Sequence, residues 1–96
     1  MTYAELRASL VVFGLGERAT LREIRARHRE LVKKFHPDVG TEGMPEQIRK
    51  VNAAYQVLRE YVDAYRFSFA EDEFYEQNTE ERIRRQFMTD PIWGKE

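Results

Sequence analysis

The sequence predicts an all-α fold: an antiparallel helical hairpin with a short N-terminal helix before it and a C-terminal helical extension after it. Three observations support this prediction. Apolar residues recur at alternating spacings of three and four along two long stretches, Thr-x-x-Glu pairs precede two of the helical stretches, and no segment alternates strictly between apolar and polar residues. A chain of 96 residues has room for one domain with one modest core.

The first predicted helix starts at Tyr3. Thr2 and Glu5 have the spacing of a capping box, in which each side chain accepts a hydrogen bond from the backbone N–H of the other residue. The apolar face consists of Leu6, Leu10 and Phe13. Gly14 is expected to end this helix because glycine tolerates the left-handed backbone conformation.

The second predicted helix starts after Thr20, which has Glu23 three residues later. Its apolar stripe consists of Leu21, Ile24, His28, Leu31 and Phe35. Pro37 is expected to end the helix, because the residue before a proline is disfavoured in the α conformation. His28 lies on the apolar stripe, and a packed histidine is a better interpretation than a metal ligand because no second ligand residue shares that face.

The third predicted helix opens near Pro45, with Glu46 beside the positive end of its dipole. Its apolar stripe consists of Ile48, Val51, Tyr55, Leu58, Val62 and Tyr65. Two such stripes joined by one connection predict an antiparallel pair. Ser68 with Glu71 and Asn78 with Glu81 then suggest caps for two short helices.

Eight of the twelve aromatic residues lie after residue 60, a density that does not suit a disordered tail. We expect these side chains to pack on the helix pair. A second copy of the chain or a partner are the alternatives, and Trp93 is the residue least expected to be buried by its own chain.

Composition narrows the classes of function. The chain has no cysteine, which excludes disulfides and thiolate metal sites. Its net charge is -1, with +3 over residues 1–58 and -4 over residues 59–96. A pI of about 6.2 disfavours nucleic-acid binding. No apolar run approaches the roughly 20 residues of a membrane span, so we expect a soluble cytoplasmic protein. A basic front and an acidic tail indicate either a protein partner with an acidic face or a tail that covers the front.

The connection from His36 to Met44 is the first place to look for function, because long helix–helix connections are often functional. Four cations of the second helix fall within an arc of roughly 80° on a helical wheel. They are Arg22, Arg25, Arg29 and Lys33. Such a stripe can dock on an acidic patch and present Asp38 to an arginine of the partner, while Pro37 restricts the backbone ahead of it. For Arg22 or Arg27 taken alone, a simple solvated position is an equally good interpretation.

These residues resemble the J-domain family over about residues 3–60. The matching residues of the second helix are Ile24, Arg25, Arg29, Leu31, Lys34 and Phe35, followed by His36-Pro37-Asp38. The third helix contributes the run Val51-Asn52-Ala53-Ala54-Tyr55-Gln56-Val57-Leu58, which is similar to the family's N-x-A-Y-x-V-L pattern.

The resemblance implies a J-domain at residues 1–66 and an extension at residues 67–96 that packs on it or on a partner. It further implies a co-chaperone that stimulates the ATPase of a DnaK-type 70-kDa heat-shock chaperone. In the family, the HPD aspartate, here Asp38, engages an arginine of the chaperone. His36 and Pro37 would then shape the loop, and the basic stripe would steer docking. On this basis the chain is not an enzyme and needs no cofactor or metal.

Several residues depart from the family pattern. Val39 follows the aspartate where a basic residue is common, Glu30 stands where many members carry a cation, and His28 replaces a tyrosine. These departures leave open an alternative function, a non-stimulating adaptor that acts through its C-terminal tail. A hydrolase using His36 and Asp38 is a poor option because no nucleophile or metal cluster accompanies them.

Overall fold

The computed structural model describes residues 1–35 and 44–89, which form five helices and no strand. The helices are α1 (Tyr3–Phe13), α2 (Leu21–Phe35), α3 (Pro45–Asp63), α4 (Glu71–Gln77) and α5 (Thr79–Thr89). The chain divides into two compact units, Met1–Tyr65 and Arg66–Glu96. The first therefore contains α1 to α3, and the second contains α4 and α5. The all-α prediction is confirmed.

Both predicted capping boxes of the first unit are present. The backbone N–H of Thr2 donates to the Glu5 carboxylate at 3.0 Å, and that of Glu5 donates to the Thr2 hydroxyl at 3.1 Å. Thr20 and Glu23 repeat the exchange before α2, at 2.6 and 3.1 Å. Each pair satisfies two backbone donors that the first turn of a helix otherwise leaves without partners.

The core of the first unit lies where the three helices meet. Its buried apolar residues are Phe13, Ile24, Leu31, Val51, Ala54 and Leu58. The predicted stripes supplied all of them except Ala54. Ser9 is the buried polar residue of α1, and its hydroxyl donates to the Glu5 carbonyl at 2.9 Å, so that burial leaves no unpaired donor.

The contacts between α2 and α3 show that the two helices run antiparallel. Phe35, at the end of α2, accepts a backbone hydrogen bond from Met44 at 2.8 Å, directly before α3 begins. His28, two turns earlier in α2, meets Asn52 and Tyr55, which lie well inside α3. Residues earlier in α2 thus contact residues later in α3, which is the pattern of an antiparallel pair.

Two details of the predicted elements differ in the structure. The α3 helix ends at Asp63 and is capped by Ala64, so Tyr65 does not continue its apolar stripe and is 54% exposed. In the second unit, the N-cap of α4 is Ala70, which makes no side-chain cap, and the Ser68 hydroxyl accepts from the Ala70 N–H instead of capping the helix. The Asn78 amide turns back to donate to the Phe74 carbonyl at 2.9 Å instead of capping α5.

Candidate functional site

The tripeptide His36-Pro37-Asp38 and the neighbouring Val39 lie outside the described residues. The structure does describe the two ends of the connection that carries them. Phe35 is half-buried and packs against the core, and its carbonyl accepts the 2.8 Å hydrogen bond from the Met44 N–H. The residues on either side of this connection are therefore held together by the backbone as well as by packing.

The predicted basic stripe lies on the solvent-facing side of α2. Its four side chains, Arg22, Arg25, Arg29 and Lys33, are all exposed. Within residues 1–35 and 44–89, no ion pair engages any of them. Four exposed like charges on one surface give a field that attracts an acidic one.

Arg27 behaves differently from these four cations. Its Nε donates to the carbonyl oxygen of Phe13 at 2.7 Å, and its Nη1 lies 2.8 Å from a carboxylate oxygen of Glu30. Phe13 is the last residue of α1, where carbonyl groups lack partners within the helix and carry the negative end of its dipole. Arg27 is therefore not a freely solvated residue but part of the junction between α1 and α2.

Sequence reasoning missed this role of Arg27. The hydrogen bond joins residues 14 apart in the chain, so neither helical periodicity nor a capping pattern marks it. One signal was available, since α1 has no basic residue in its own last turn to complement its dipole. A cation from elsewhere in the fold was therefore a reasonable expectation.

His28 lies in a stack of aromatic rings between α2 and α3. Its ring is parallel to that of Tyr55, with centroids 3.9 Å apart, and the Phe13 ring is parallel at 6.2 Å. Its Nε2 lies 3.1 Å from the Asn52 amide oxygen. His28 is half-buried as a packing residue, which agrees with the interpretation of the apolar stripe. Across the part of the chain that the structure describes, no cluster of three His, Cys, Asp or Glu residues is arranged to hold a metal.

Arg59 connects the aromatic stack to the C-terminal end of α3. Its guanidinium donates to the Tyr55 hydroxyl and to the Asp63 carboxylate, both at 3.3 Å. The hydrogen bond to Tyr55, then that to Asp63, raises the pKa of Arg59 above its ordinary value. The two hydrogen bonds tie the last two turns of α3 together.

The second unit carries a mixture of acidic and aromatic side chains. Arg85 of α5 pairs with Glu71 of α4 at 3.0 Å and lies over the Tyr75 ring at 5.2 Å. Large apolar side chains remain exposed in this unit, with Phe69 at 93% and Phe74 at 49%. Trp93 lies outside the described residues. No helix among the described residues has the length and apolar character needed to cross a membrane.

Comparison with known proteins identifies the family. The DnaJ domain family matches residues 11–65, more than half of the chain. The chain therefore belongs to the DnaJ-domain family. Members of this family partner with DnaK-type chaperones and are generally not enzymes, so membership supports a co-chaperone role for this chain.

Three relatives illustrate the range of the match. The chain is 30% identical over 70 residues to the chaperone protein DnaJ of Finegoldia magna, covering 71% of this chain and 19% of the relative. It is 35% identical over 80 residues to a DnaJ-like protein of Mycoplasma pneumoniae, covering 77% and 26%. An uncharacterized 19.0 kDa protein of a Sinorhizobium species is 47% identical over 49 residues, covering 49% and 29%.

The chain thus spans less than a third of the length of each of these relatives. The likeness covers only that share of each relative. No solved structure matches the chain.

Proposed function

We propose that this chain is a co-chaperone that stimulates ATP hydrolysis by a DnaK-type chaperone through the loop His36-Pro37-Asp38, and so couples hydrolysis to client binding. The observation that carries the proposal is the α2 surface, where four exposed cations lie on the helix that leads directly into this loop. We assign the protein to the cytoplasm as part of the same proposal.

The proposed mechanism is one of docking and charge placement, and this chain makes or breaks no bond. The exposed cations of α2 attract an acidic surface on the chaperone and orient it before contact. Asp38 then pairs with an arginine of the chaperone. A carboxylate and a guanidinium form a directional, charge-assisted contact, so a small displacement of the loop weakens it. Pro37 limits the backbone freedom that is lost when Asp38 is fixed.

The test is single-turnover ATP hydrolysis by the DnaK-type chaperone of the same organism, with and without this chain. We expect stimulation by the unaltered chain and its loss with Asp38→Asn, because the amide keeps the shape of the side chain but not its charge. Asp72→Asn is the matched control, since it makes the same chemical change at an exposed position in the other unit. Equal stimulation by the chain and its Asp38→Asn variant would disprove the proposal.

A second candidate function is a tail-directed adaptor that binds a client or recruiter without stimulating the chaperone. Residues 68–81 carry six acidic residues and no basic one, and Phe69 within this segment is almost fully exposed. Exposed aromatic side chains set among carboxylates suit a partner with apolar pockets and a basic rim. The adaptor predicts a stable complex that depends on residues 66–96 and a hydrolysis rate that the chain leaves unchanged.

Glu30 bears on the choice between these two functions. Its carboxylate is paired with Arg27, so the charge at this position is partly balanced within the chain. A glutamate in place of a cation at this position therefore lowers the positive charge of the α2 surface less than the sequence suggested. This contact favours the stimulating co-chaperone over the adaptor.

A further inference from the structure

Arg27 is one of two cations of α2 that the proposed docking surface does not use, the other being Lys34. On a helical wheel it lies roughly 160° from the centre of the basic stripe, on the opposite side of the helix. Its side chain is 42% exposed, and its guanidinium is engaged at two atoms, by the Phe13 carbonyl at 2.7 Å and by Glu30 at 2.8 Å. The Phe13 contact joins α2 to the end of α1, and the Glu30 contact restrains the Arg27 side chain within α2.

The two contacts use the geometry of a guanidinium. Nε and Nη1 donate in fixed, different directions, so one group reaches a carbonyl on α1 and a carboxylate on α2 at the same time. Glu30 is three residues after Arg27 on the same helix and restrains the side chain from the α2 side. The Phe13 carbonyl restrains it from the α1 side.

Gly14 leaves the space that this arrangement needs. It follows Phe13 directly and has a φ of 65°, and a β-carbon at this position would lie 3.2 Å from Nη2 of Arg27. The turn that ends α1 and the guanidinium that reaches it thus fit together closely. Rotation of α2 about its own axis would break the contact with Phe13.

We propose that Arg27 is a positioning residue for chaperone docking: by joining the end of α1 to α2, it fixes the rotation of α2 and hence the direction in which Arg25 and Arg29 face the partner. This proposal rests on the proposed function. A rotation of α2 by about 20° would move a side-chain atom that lies about 6 Å from the helix axis by roughly 2 Å, which is enough to separate a charge-assisted pair.

The test uses the full chain with Arg27→Gln, Arg27→Lys and Arg49→Gln. Arg49 is the matched control because it also pairs with a glutamate three residues away, Glu46 at 3.5 Å, but among the described residues it makes no hydrogen bond or ion pair with another helix. Three quantities are measured: the melting temperature, the hydrogen exchange of each arginine Nε–H by NMR, and the concentration that gives half-maximal stimulation of the chaperone ATPase.

We expect the Nε–H of Arg27 to exchange more slowly than that of Arg49. Arg27→Gln should lower the melting temperature by about 5 °C and raise the half-maximal concentration about fivefold, with Arg49→Gln changing neither. Arg27→Lys should recover little of the loss, because an ammonium keeps the charge and has three donors but cannot place them on two separate atoms in fixed directions. Recovery by lysine would mean that only the charge matters and would overturn the proposal.

A double-mutant cycle separates positioning from simple stabilisation. Well below all the melting temperatures, Arg25→Gln should cost less in the Arg27→Gln background than in the unaltered chain, because Arg25 is no longer correctly directed there. The same cycle with Arg49→Gln should be additive. Additivity with Arg27→Gln would overturn the proposal.

Failure of the proposed function would be recognised separately. If the unaltered chain gives no stimulation, the co-chaperone function and the docking role of Arg27 fall together. Slow Nε–H exchange and a lowered melting temperature would then show that the contact exists but does not serve docking.

Discussion

Gly14 ends α1 in a left-handed backbone conformation, and its lack of a side chain leaves room for Arg27. We predict that Gly14→Ala lowers the free energy of unfolding by about 1–2 kcal/mol, because alanine is strained in the left-handed conformation and its β-carbon would crowd Arg27. Urea unfolding followed by circular dichroism measures the change. Gly16→Ala is the matched control, since nothing lies within 4 Å of its β-carbon position, and it should change stability by less than about 0.5 kcal/mol.

An equal effect of the two substitutions would show that the left-handed turn at Gly14 is not populated as described.

At the scale of single residues, the sequence predicted that Gly14 ends a helix but did not show why the space beside it matters. The stop signal is local, whereas the approach of Arg27 depends on how α2 packs against α1. Ala54 was missed for a related reason: its small side chain is buried because α3 packs closely in the core, and nothing in its own chemistry requires burial.

At the scale of single elements, the reciprocal contacts of Thr20 and Glu23 determine how α2 begins. We predict that Thr20→Ala lowers the free energy of unfolding by about 1 kcal/mol, because it leaves the Glu23 N–H without its cap. Chemical denaturation measures this change in the free energy of unfolding. Ser68→Ala provides the comparison: serine stands in the same spacing before Glu71, but its hydroxyl does not cap α4, so the cost should be under about 0.5 kcal/mol. A larger cost for Ser68→Ala than for Thr20→Ala would contradict both assignments.

The two predicted caps that failed share a physical cause. The α4 helix has only seven residues, and short helices depend on their surroundings more than on local spacing. Its start is therefore not set by the Ser68–Glu71 pattern, and Asn78 closes α4 as its C-cap rather than opening α5 with its side chain. In α1 and α2 the same type of pattern coincides with a long apolar stripe that packs, so the two signals agree and the helix begins where predicted.

For the whole molecule, the sequence predicted those parts of the candidate site that follow from a helical repeat or a motif, but not those that depend on packing between distant segments. The arc of the basic stripe follows from the helical repeat alone, and the structure shows all four side chains exposed on α2. The sequence placed His36-Pro37-Asp38 by motif, which identifies residues but gives no geometry. The contacts of the aromatic residues after residue 60 depend on packing between distant segments or on a partner. A helical repeat in the sequence does not predict such contacts.

The first unit contains a core of its own. Its buried core residues all lie between Phe13 and Leu58, and the partly buried residues that pack against them extend only to Val62. We therefore predict that a chain of residues 1–65 unfolds cooperatively, with a melting temperature within about 5 °C of the full chain. Circular dichroism at increasing temperature tests this. The isolated segment 66–96 should show little helix, because a unit of about 30 residues without disulfides or metal buries too little surface to fold alone.

The same truncation separates the two candidate functions. A chain of residues 1–65 keeps α2 and the loop after it, so a co-chaperone of the proposed kind should retain its maximal stimulation of ATP hydrolysis in single turnover, while any partner held by residues 66–96 is lost. Loss of stimulation by a truncated chain that still melts cooperatively would show that the second unit takes part in activating the chaperone. In that case the acidic and aromatic surface around Phe69 and Phe74 would belong to the chaperone complex itself, and its aromatic side chains would be the next positions to substitute.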